Sequence, residues 1–407
     1  MRQRGEMVIP QLPQGAPEGC PFAPPPSLRL LRRDSPLTQV ALPDGSRTWL
    51  ATRFDLVRQI LSHPGFTVNP NAPGFPTWNL PGGTDLPKSM THVDPPEHTE
   101  LRGMVSDEFT PKRIGRFRPA IERITMDRCA AIEALPQPFD FMAEFAGPIP
   151  AMSISTMLGV PFADLEFFER NIRLILAHDD LESAEREQAK IAVLNYVLKL
   201  IEQKRAEPDG HVLSRLISQN PQLDTIDVVS FVALLFFAGS ATTTHMIGLS
   251  ALTLIQRPDL AAQVRKDPSG LPALVEELLR YHTVVRHSPR RAAVEDVELG
   301  GVTIRAGEGV IASAQAANWD ESVFPRPDLI DLDRPRTPRH LAFGHGVHVC
   351  LGKALARLEL EVVIRQLITR YPDMTLAIPE AEISFRTTTH LHGCYSLLID
   401  LGLATAR

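Results

Sequence analysis

The sequence predicts a mainly helical protein with a small β-rich part, and three observations support this fold class. Helical periodicity dominates from residue 95 to about residue 285. The long apolar stretch 226–256 predicts one continuous helix, and residues 351–371 predict another. Strand-like pieces are short and few: "TQVAL" and "TWLAT" before residue 55, "VEDVELGGVTI" near residue 300 with a Gly-Gly turn, and "ISFRTTTHLHGCYSLLIDL" at the end.

The first hundred residues contain several short elements. Residues 10–26 are rich in proline and are expected to lie extended on the surface, and "RFDLVRQILSH" predicts a helix over 53–63. Residues 64–90 form a long loop with proline, glycine and three large aromatic side chains, and loops of this length inside a domain are usually functional or disordered. "PPEHTELRGMVSDEFT" then begins a helix with proline at its N-terminus.

The apolar helix over 226–256 is predicted to be the buried centre of the fold. Asp224 or Thr225 can cap its N-terminus, and Pro258 ends it. Its apolar run up to Gly239 is about twelve residues long, and a serine, three threonines and His245 then interrupt it. We therefore expect an internal helix and no membrane span.

Composition and charge exclude several classes of protein. Of the 407 residues, 43% are hydrophobic and 22% are charged, as is usual for a soluble globular protein. The net charge is −6, so no overall basic field attracts nucleic acid. We find no repeats and no low-complexity linker, and we expect one domain over 1–407 with a proline-rich N-terminal segment, 1–26.

Cysteine usage and the N-terminus predict a cytoplasmic location. The four cysteines, Cys20, Cys129, Cys350 and Cys394, are far apart and form no C-x-x-C pair. A disulfide framework is not expected, and a reducing compartment fits. The basic N-terminus has only a short apolar stretch before proline takes over, which predicts neither a signal peptide nor a membrane anchor.

A glycine-rich segment, "HLAFGHGVHVCLG" over 340–352, contains the chemically most distinctive cysteine. Phe343, Gly346, Cys350 and Gly352 fix four residue types in ten positions, and the glycines let the backbone turn tightly beside a flat ligand. A helix predicted to begin near Leu351 would favour a thiolate at the cysteine. Such a thiolate is a strong axial ligand for haem iron.

Other interpretations of this segment remain open on these residues alone. His345, His348 and Cys350 could bind zinc, but the H-x-x-H-x-C spacing is irregular and no second ligand pair lies nearby. A buried cysteine in a glycine turn without any function is the default for an isolated stretch of this kind.

Glu277 and Arg280, in "VEELLR", lie on one helix face at i and i+3, 73 positions before Cys350. Taken with the glycine-framed cysteine and "AGSATTT", they give a sequence that resembles the cytochrome P450 superfamily, in the style of its soluble actinobacterial members. The resemblance covers nearly the whole chain and includes, in the family's order, "HVDPPEHTELRGMVSDEFT", "AGSATTT", "EELLRY", "PRRAAVEDVELGG", "ANWDESVFPRPDLIDLDR" and "FGHGVHVCLGKALARLE". It implies the cytochrome P450 fold, with the long central helix over the haem.

The resemblance assigns roles around haem b, iron protoporphyrin IX. Cys350 is similar to the proximal iron ligand, with Phe343 and Gly352 beside it. The implied structural ion pair joins Glu277 to Arg280, with Arg334 as a third partner. The residues that match the family's ligands for the haem propionates are His98, Arg102, Arg291 and His348.

The central helix departs from the family at one position. Thr242 stands at the key threonine, and Ala238 and Gly239 supply small side chains, but Ala241 stands where the family usually has an acid that relays protons. Water or Ser240 could replace that acid, the pocket could instead serve radical coupling, or the change could be neutral drift. The hypothesis that Ala241 limits proton delivery predicts more hydroxylated product, or less peroxide, from Ala241→Glu.

Family position also predicts the substrate pocket. Arg286 and His287 are unusual there, since an apolar pocket seldom tolerates an unpaired charge, and Arg286 could bond a substrate carbonyl. The candidate pocket residues are Phe75, Trp78, Phe236, Phe237, Val284, Val285, Arg286, Thr389 and Leu391.

The resemblance implies electrons from outside the chain, because no flavin or iron–sulfur motif occurs in it. The family's donor is an acidic ferredoxin with an NAD(P)H-dependent reductase. "TPKRIGRFR" over 110–118, with Lys353 and Arg357, offers a basic face for it.

Three functions are consistent with these residues. The first is a monooxygenase acting on a secondary metabolite or xenobiotic. The second is an enzyme that couples aromatic substrates, such as tryptophan-containing cyclic dipeptides, without inserting oxygen. The third is a haem protein without turnover, or a sensor.

Overall fold

The structure is a computed structural model that describes residues 9–12, 22–77, 89–176, 183–287, 289–335, 337, 339–386 and 391–403. Helices account for most of the described chain, as expected. Their bounds are α1 Pro26–Asp34, α2 Phe54–Ser62, α3 Glu97–Ser106, α4 Pro111–Ile114, α5 Arg118–Glu133, α6 Pro148–Leu158, α7 Leu165–Leu176, α8 Ser183–Ala206, α9 Val212–Gln219, α10 Thr225–Gln256, α11 Pro258–Lys266, α12 Leu271–His282, α13 Ala314–Asn318 and α14 Lys353–Arg370.

The strands are short and form three small sheets. Their bounds are β1 Leu37–Ala41, β2 Arg47–Ala51, β3 Phe66–Thr67, β4 Phe139–Asp140, β5 Arg290–Ala293, β6 Val297–Leu299, β7 Val302–Ile304, β8 Gly309–Ala312, β9 Thr375–Leu376 and β10 Leu398–Asp400. The largest sheet has the order β1-β2-β8-β5-β3, in which only the β2–β8 pair is parallel. The second sheet has the order β4-β10-β9, and β6 with β7 forms the third.

The β6–β7 hairpin confirms the predicted Gly-Gly turn. Leu299 pairs with Val302, so the loop consists of two residues, Gly300 and Gly301. Their φ angles are +58° and +79°, a conformation that side chains with a Cβ adopt rarely.

Helix α10 is the central helix of the fold, as the sequence predicts. Asp224 caps it: its side chain accepts the Asp227 N–H, while the Asp227 carboxylate accepts the Asp224 N–H. The helix ends at Gln256, just before Pro258.

Composition alone does not exclude a membrane span for helix α10, although the sequence analysis expected it to. By length and mean hydropathy, 1.8 over its most apolar window, helix α10 could cross a membrane. Packing gives a different reason for that hydropathy, because α10 contacts α6, α8 and α14 inside the protein. In the most apolar window 39% of the residues are buried inside the protein, and from Thr243 to Thr253 almost every side chain is buried. The apolar composition therefore matches a core helix.

Candidate active site

A cavity of about 480 Å³ lies between α10 and the loop that precedes α14. Its walls also include α3, part of α6, β5 and the segment after α12. Apolar groups make up most of the wall, and the polar side chains are few. Helix α10 contributes Leu234, Leu235, Ala238, Gly239, Thr242, Thr243 and Met246 to it.

The glycine-rich loop places the Cys350 thiol on the cavity wall. Gly344 and Gly346 have φ angles of +72° and +74°, and a Cβ at Gly346 would lie 2.4 Å from the Leu61 carbonyl oxygen. The Cys350 N–H donates to the Phe343 carbonyl at 2.9 Å, which closes the loop. Three of the four residues of the predicted cysteine motif, Phe343, Cys350 and Gly352, line the cavity, and Gly346 is not among the described lining residues.

The environment of the thiol differs from the expectation in two respects. Helix α14 begins at Lys353 with Gly352 as its N-cap, two residues later than predicted. Burial raises the pKa of Cys350, and the Gly352 N–H and nearby cations oppose this only in part. The helix start alone therefore does not produce the thiolate that the sequence suggested. A coordinated metal cation would, because it displaces the thiol proton outright.

Four basic side chains line the cavity together: His98 and Arg102 from α3, Arg291 from β5, and His348 from the loop. The rings of His98 and His348 lie 4.1 Å apart. Arg102 donates to the Val349 carbonyl and Arg291 to the Arg290 carbonyl, both at 2.8 Å. Within the described chain, none of the four donates to or forms an ion pair with a carboxylate.

The pKa values of this cluster are all lowered, first by burial. The pKa of His348 falls to about 3, with His98, Arg291 and Arg102 adding repulsion. The pKa of Arg291 falls to about 10. Asp94 acts on His98 and Arg291 only as a weaker opposing charge. Buried positive charge in this arrangement is unfavourable until an anion enters.

A second buried charge cluster lies outside the cavity. Arg280 donates to both carboxylate oxygens of Glu277, at 2.8 and 3.0 Å, and Arg334 donates to Glu277 Oε1 at 2.9 Å. The remaining guanidinium donors of Arg280 reach backbone carbonyls of Asn318, Pro327 and Leu329. The predicted three-residue cluster therefore forms, and its charges are satisfied within the chain.

Two of the predicted catalytic positions on α10 do not face the cavity. Thr242 lines it, and its Oγ1 donates to the Ala238 carbonyl at 2.8 Å. Ser240 and Ala241 are buried on another side of the helix and are not among the described lining residues. Ser240 Oγ has no hydrogen-bond partner within the described chain. Ser240 is therefore not positioned to replace the missing acid.

Gly239 allows α10 to pack closely where it borders the cavity. A Cβ there would lie 2.4 Å from Ile154 Cδ1 on α6. Both Gly239 and Ala238 line the cavity, so the helix backbone forms this part of the wall. Small side chains at the two positions leave room for a ligand beside the helix.

Some of the predicted substrate-pocket residues line this cavity and others do not. Phe75, Val284 and Val285 line the cavity. Phe236 and Phe237 do not, because the lining positions of α10 recur three or four residues apart and these two fall between them. Phe236 instead stacks on Phe168, with ring centroids 4.9 Å apart.

Of the other predicted pocket residues, two are not among the described lining residues and two lie outside the described part of the chain. Arg286 is buried, and neither it nor Leu391 is among the described lining residues. Among the described residues, Arg286 Nε and Nη2 find no hydrogen-bond partner, and burial lowers its pKa to about 9. Arg286 therefore does not border this cavity, and a substrate contact there stays a prediction. Trp78 and Thr389 lie outside the described residues.

Known proteins resemble this chain over almost its entire length. The family model for "Cytochrome P450" matches residues 270–376. Cytochrome P450 CYP105Q4 of Mycobacterium marinum is 39% identical over 96% of this chain and 95% of its own length. The chain belongs to the cytochrome P450 family. The crystal structure of cytochrome P450 MoxA from Nonomuraea recticatena has 35% identity and a TM-score of 0.92, covering 97% of this chain and 99% of that one.

Two further relatives of this P450 have names that describe reactions. Pentalenic acid synthase of Streptomyces avermitilis is 37% identical over 93% of this chain and 94% of its own length. Vitamin D3 dihydroxylase of Streptomyces griseolus is 37% identical with the same coverage. This P450 is accordingly an oxidoreductase of the bacterial type, and its cofactor is haem b.

The residues on the cavity wall fit haem b. The two propionates of the cofactor are carboxylates, and the cluster of His98, Arg102, Arg291 and His348 lacks a carboxylate partner in the described chain. A thiol is available to an iron at Cys350, and the glycines around it allow a flat ring to approach.

Sequence reasoning missed five polar residues of this P450's cavity: Thr91, His92, Thr243, Arg290 and Glu359. The signal for Glu359 was present, because it lies four residues after Leu355 and three before Val362 on the apolar stripe of α14. An acid on such a stripe is buried or at a site. Arg290 stands next to Arg291 in β5 and donates to the Pro76 carbonyl at 3.2 Å, so it ties the sheet to the 64–90 loop.

Proposed function

We propose that this P450 is a cytoplasmic monooxygenase that inserts one oxygen atom of dioxygen into an apolar secondary metabolite or xenobiotic. The observation that supports it most strongly is the cavity: Cys350 and the cationic cluster border it, and its remaining wall is mostly apolar. The names of the pentalenic acid and vitamin D3 relatives support this substrate class. Coupling without oxygen insertion receives no support from them.

The wall residues divide into two groups in this proposal. Haem, when bound, supplies the activation of dioxygen. Cys350 would hold its iron, with Phe343 and Gly352 beside the thiolate. The residues that would hold the propionates by charged hydrogen bonds are His98, Arg102, Arg291 and His348.

The other part of the wall would bind and orient the substrate. Phe75, Val284 and Val285 offer apolar surface from two loops, and Leu235 offers it from α10. These side chains exclude water from the reacting carbon and favour a large apolar molecule. Thr242, whose hydroxyl is now bonded to the Ala238 carbonyl, would be able to turn its proton towards the cavity.

An external donor would deliver the electrons, and we propose an acidic ferredoxin with its NAD(P)H-dependent reductase. On the expected basic face, Arg113, Arg118 and Arg357 already form ion pairs with acids of the chain. Lys112, Arg116 and Lys353 are exposed and remain to attract an acidic partner. Reduction by ferredoxin should slow as salt rises, and Lys112→Glu with Arg116→Glu should slow it at low salt.

The deciding experiment is a spin-state titration of the ferric holoprotein. The ligand panel contrasts macrolides and steroids with tryptophan-containing cyclic dipeptides. The proposal expects a shift with the bulky metabolites, and turnover under labelled dioxygen should then place one labelled atom in the product. A shift only with the dipeptides, and a coupled product without label, would contradict it. Absence of any substrate-dependent consumption of reductant would also contradict it.

A further inference from the structure

Arg286 is a buried arginine without a counter-charge in the described part of the chain. Its residue exposure is 3%, and it is not among the described lining residues of the cavity. Its Nε and Nη2 atoms find no acceptor among the described residues. Arginine is almost never buried to this extent unless it is paired. A structural role as half of an ion pair therefore does not explain it.

The guanidinium group of Arg286 keeps its charge at neutral pH. Burial lowers its pKa to about 9, and no acid in the described chain opposes this shift. The positive charge in turn contributes to the lowered pKa of His282, whose Nδ1 also lacks a partner among the described residues. A buried charge in these surroundings is unfavourable until an anion neutralises it.

The two unpartnered atoms of Arg286 indicate the shape of the anion. Nε and Nη2 lie on one edge of the guanidinium group, and their parallel N–H bonds match the two oxygens of a carboxylate. This chain binds its own carboxylates with the same edge. Arg280 donates from Nε and Nη2 to the two oxygens of Glu277 at 2.8 and 3.0 Å. Arg257 donates from the same atoms to Asp259 at 2.9 and 2.7 Å.

Arg286 directly follows two residues of the cavity wall, Val284 and Val285. The Val284 carbonyl accepts from the His392 N–H at 2.7 Å, and Val285 pairs with Leu391 in a β-bridge. Both contacts involve the backbone. A carboxylate bound to Arg286 would add a side-chain contact to this segment and would help to hold the two valines in place.

We propose that Arg286 is a binding site for a carboxylate, which its Nε and Nη2 atoms hold by two parallel hydrogen bonds next to the Val284–Val285 part of the cavity wall. The carboxylate is a small free anion or the acid group of a ligand whose apolar part occupies the cavity. In both cases it neutralises the buried guanidinium charge. The site is separate from the four basic side chains that line the cavity, and it goes beyond the proposed monooxygenase function.

The first test measures denaturant unfolding of the ferric holoprotein in sodium formate and in sodium chloride at equal ionic strength. A ligand that binds only the folded protein raises the ratio of folded to unfolded protein by 1 + [L]/Kd. With a Kd on the order of 10 mM, about 100 mM formate should raise this ratio about tenfold. Chloride should raise it less, because a spherical ion does not match two parallel N–H bonds. Equal effects of formate and chloride would overturn the carboxylate assignment.

Two variants assign the effect of formate to Arg286. Arg286→Met removes the charge and should abolish the effect. Without formate this variant should be at least as stable as wild type, because it loses an unpaired buried charge. Arg286→Lys keeps the charge but not the two-atom edge, so formate should lose most of its advantage over chloride. The control is Arg257→Met, which breaks an exposed pair and should respond to formate as wild type does.

Two results with Arg286→Met would overturn the inference. An undiminished effect of formate would place the anion elsewhere. A clear loss of stability without formate would mean that Arg286 is already paired within the chain.

A spin-state titration with dodecanoate and dodecanol identifies the source of the carboxylate. If it belongs to a cavity ligand, dodecanoate should bind at least about tenfold more tightly than dodecanol, and Arg286→Met should remove that difference. If it is a free anion, the two ligands should bind alike, and formate should stabilise the protein without changing the spin state. Responses to formate and dodecanoate that are the same in wild type and Arg286→Met would overturn the inference and leave the monooxygenase function standing.

Discussion

Two buried charge clusters differ in where their counter-charges come from. On α12, Glu277 accepts from Arg280 and Arg334, so the negative and positive groups are neighbours within the chain. At the cavity, Arg291 and the cations around it find no carboxylate partner among the described side chains. Both clusters are removed from water, but the first is complete and the second is not.

The difference separates structure from function. Charges that are satisfied inside the chain hold segments together, here α12, the 325–334 segment and the end of α13. Charges that remain uncompensated cost stability in the empty protein, and a protein retains them for a ligand of opposite charge. Breaking each cluster should therefore have opposite consequences for the haem-free protein.

The largest expected effect is on the complete cluster. Glu277→Ala leaves two buried guanidinium groups without their carboxylate, and we expect the free energy of unfolding to fall by about 3–5 kcal/mol. Denaturant unfolding of the haem-free protein measures it. Asp259→Ala, which breaks an exposed pair with Arg257, should cost no more than about 1 kcal/mol. Equal losses in the two variants would show that the buried cluster does not support the fold.

Arg291→Ala tests the incomplete cluster. In the haem-free protein it removes a buried, unpaired charge, so stability should stay the same or rise. With haem, it removes a partner of a propionate, which costs about 2–5 kcal/mol, or roughly 30-fold or more in haem affinity. Haem transfer to an apoprotein scavenger measures the affinity. Loss of stability in the haem-free variant, with haem affinity unchanged, would reverse our assignment of this cluster.

Much of this pattern could be predicted from the amino-acid sequence, because both clusters consist of residues whose type and spacing are fixed by short motifs. Cys350, Glu277 and Arg291 each belong to a motif that assigns them to a turn, a helix or a strand. Periodicity also predicted α10, and its N-cap, Asp224, is one of the two candidates that the sequence offered.

The sequence could not predict which side chains of α10 and α14 face the cavity, because both helices carry polar and apolar residues on every side. Phe236 and Ser240 belong to the right helix but point away from the cavity. Glu359, in a different helix, points into it. The direction in which these side chains point depends on how α6, α10 and α14 pack against one another, and no local motif encodes that packing.

His282, which lies next to the complete cluster, should make the free energy of unfolding depend on pH. We expect this effect to be smaller than those of the two clusters. His282 is fully buried, and burial, with Arg286 and Arg280, lowers its pKa to about 3. Between about pH 3 and pH 6.5 the unfolded chain binds a proton that the folded chain does not. Its stabilising contribution is therefore complete above pH 6.5 and is lost as pH falls, by at most about 1.4 kcal/mol per pH unit.

Denaturation curves across that pH range test the assignment. His282→Gln should flatten the acid side of the stability profile, whereas the exposed His63→Gln should leave its slope unchanged. The Nε2 atom of His282 lies 2.9 Å from Thr253 Oγ1, and glutamine keeps a polar group for that contact. A profile as steep as that of wild type would mean that His282 is protonated in the folded protein.

The smallest expected effect concerns Ala241. Because its side chain is buried and is not among the described lining residues, Ala241→Glu introduces an acid that must reach the cavity through water. We expect product yield to change by less than about twofold, because a general acid must lie within hydrogen-bond reach of the group it protonates, directly or through one water. Product per reductant consumed measures this yield. A large gain from Ala241→Glu would instead support the hypothesis that alanine at 241 limits proton supply.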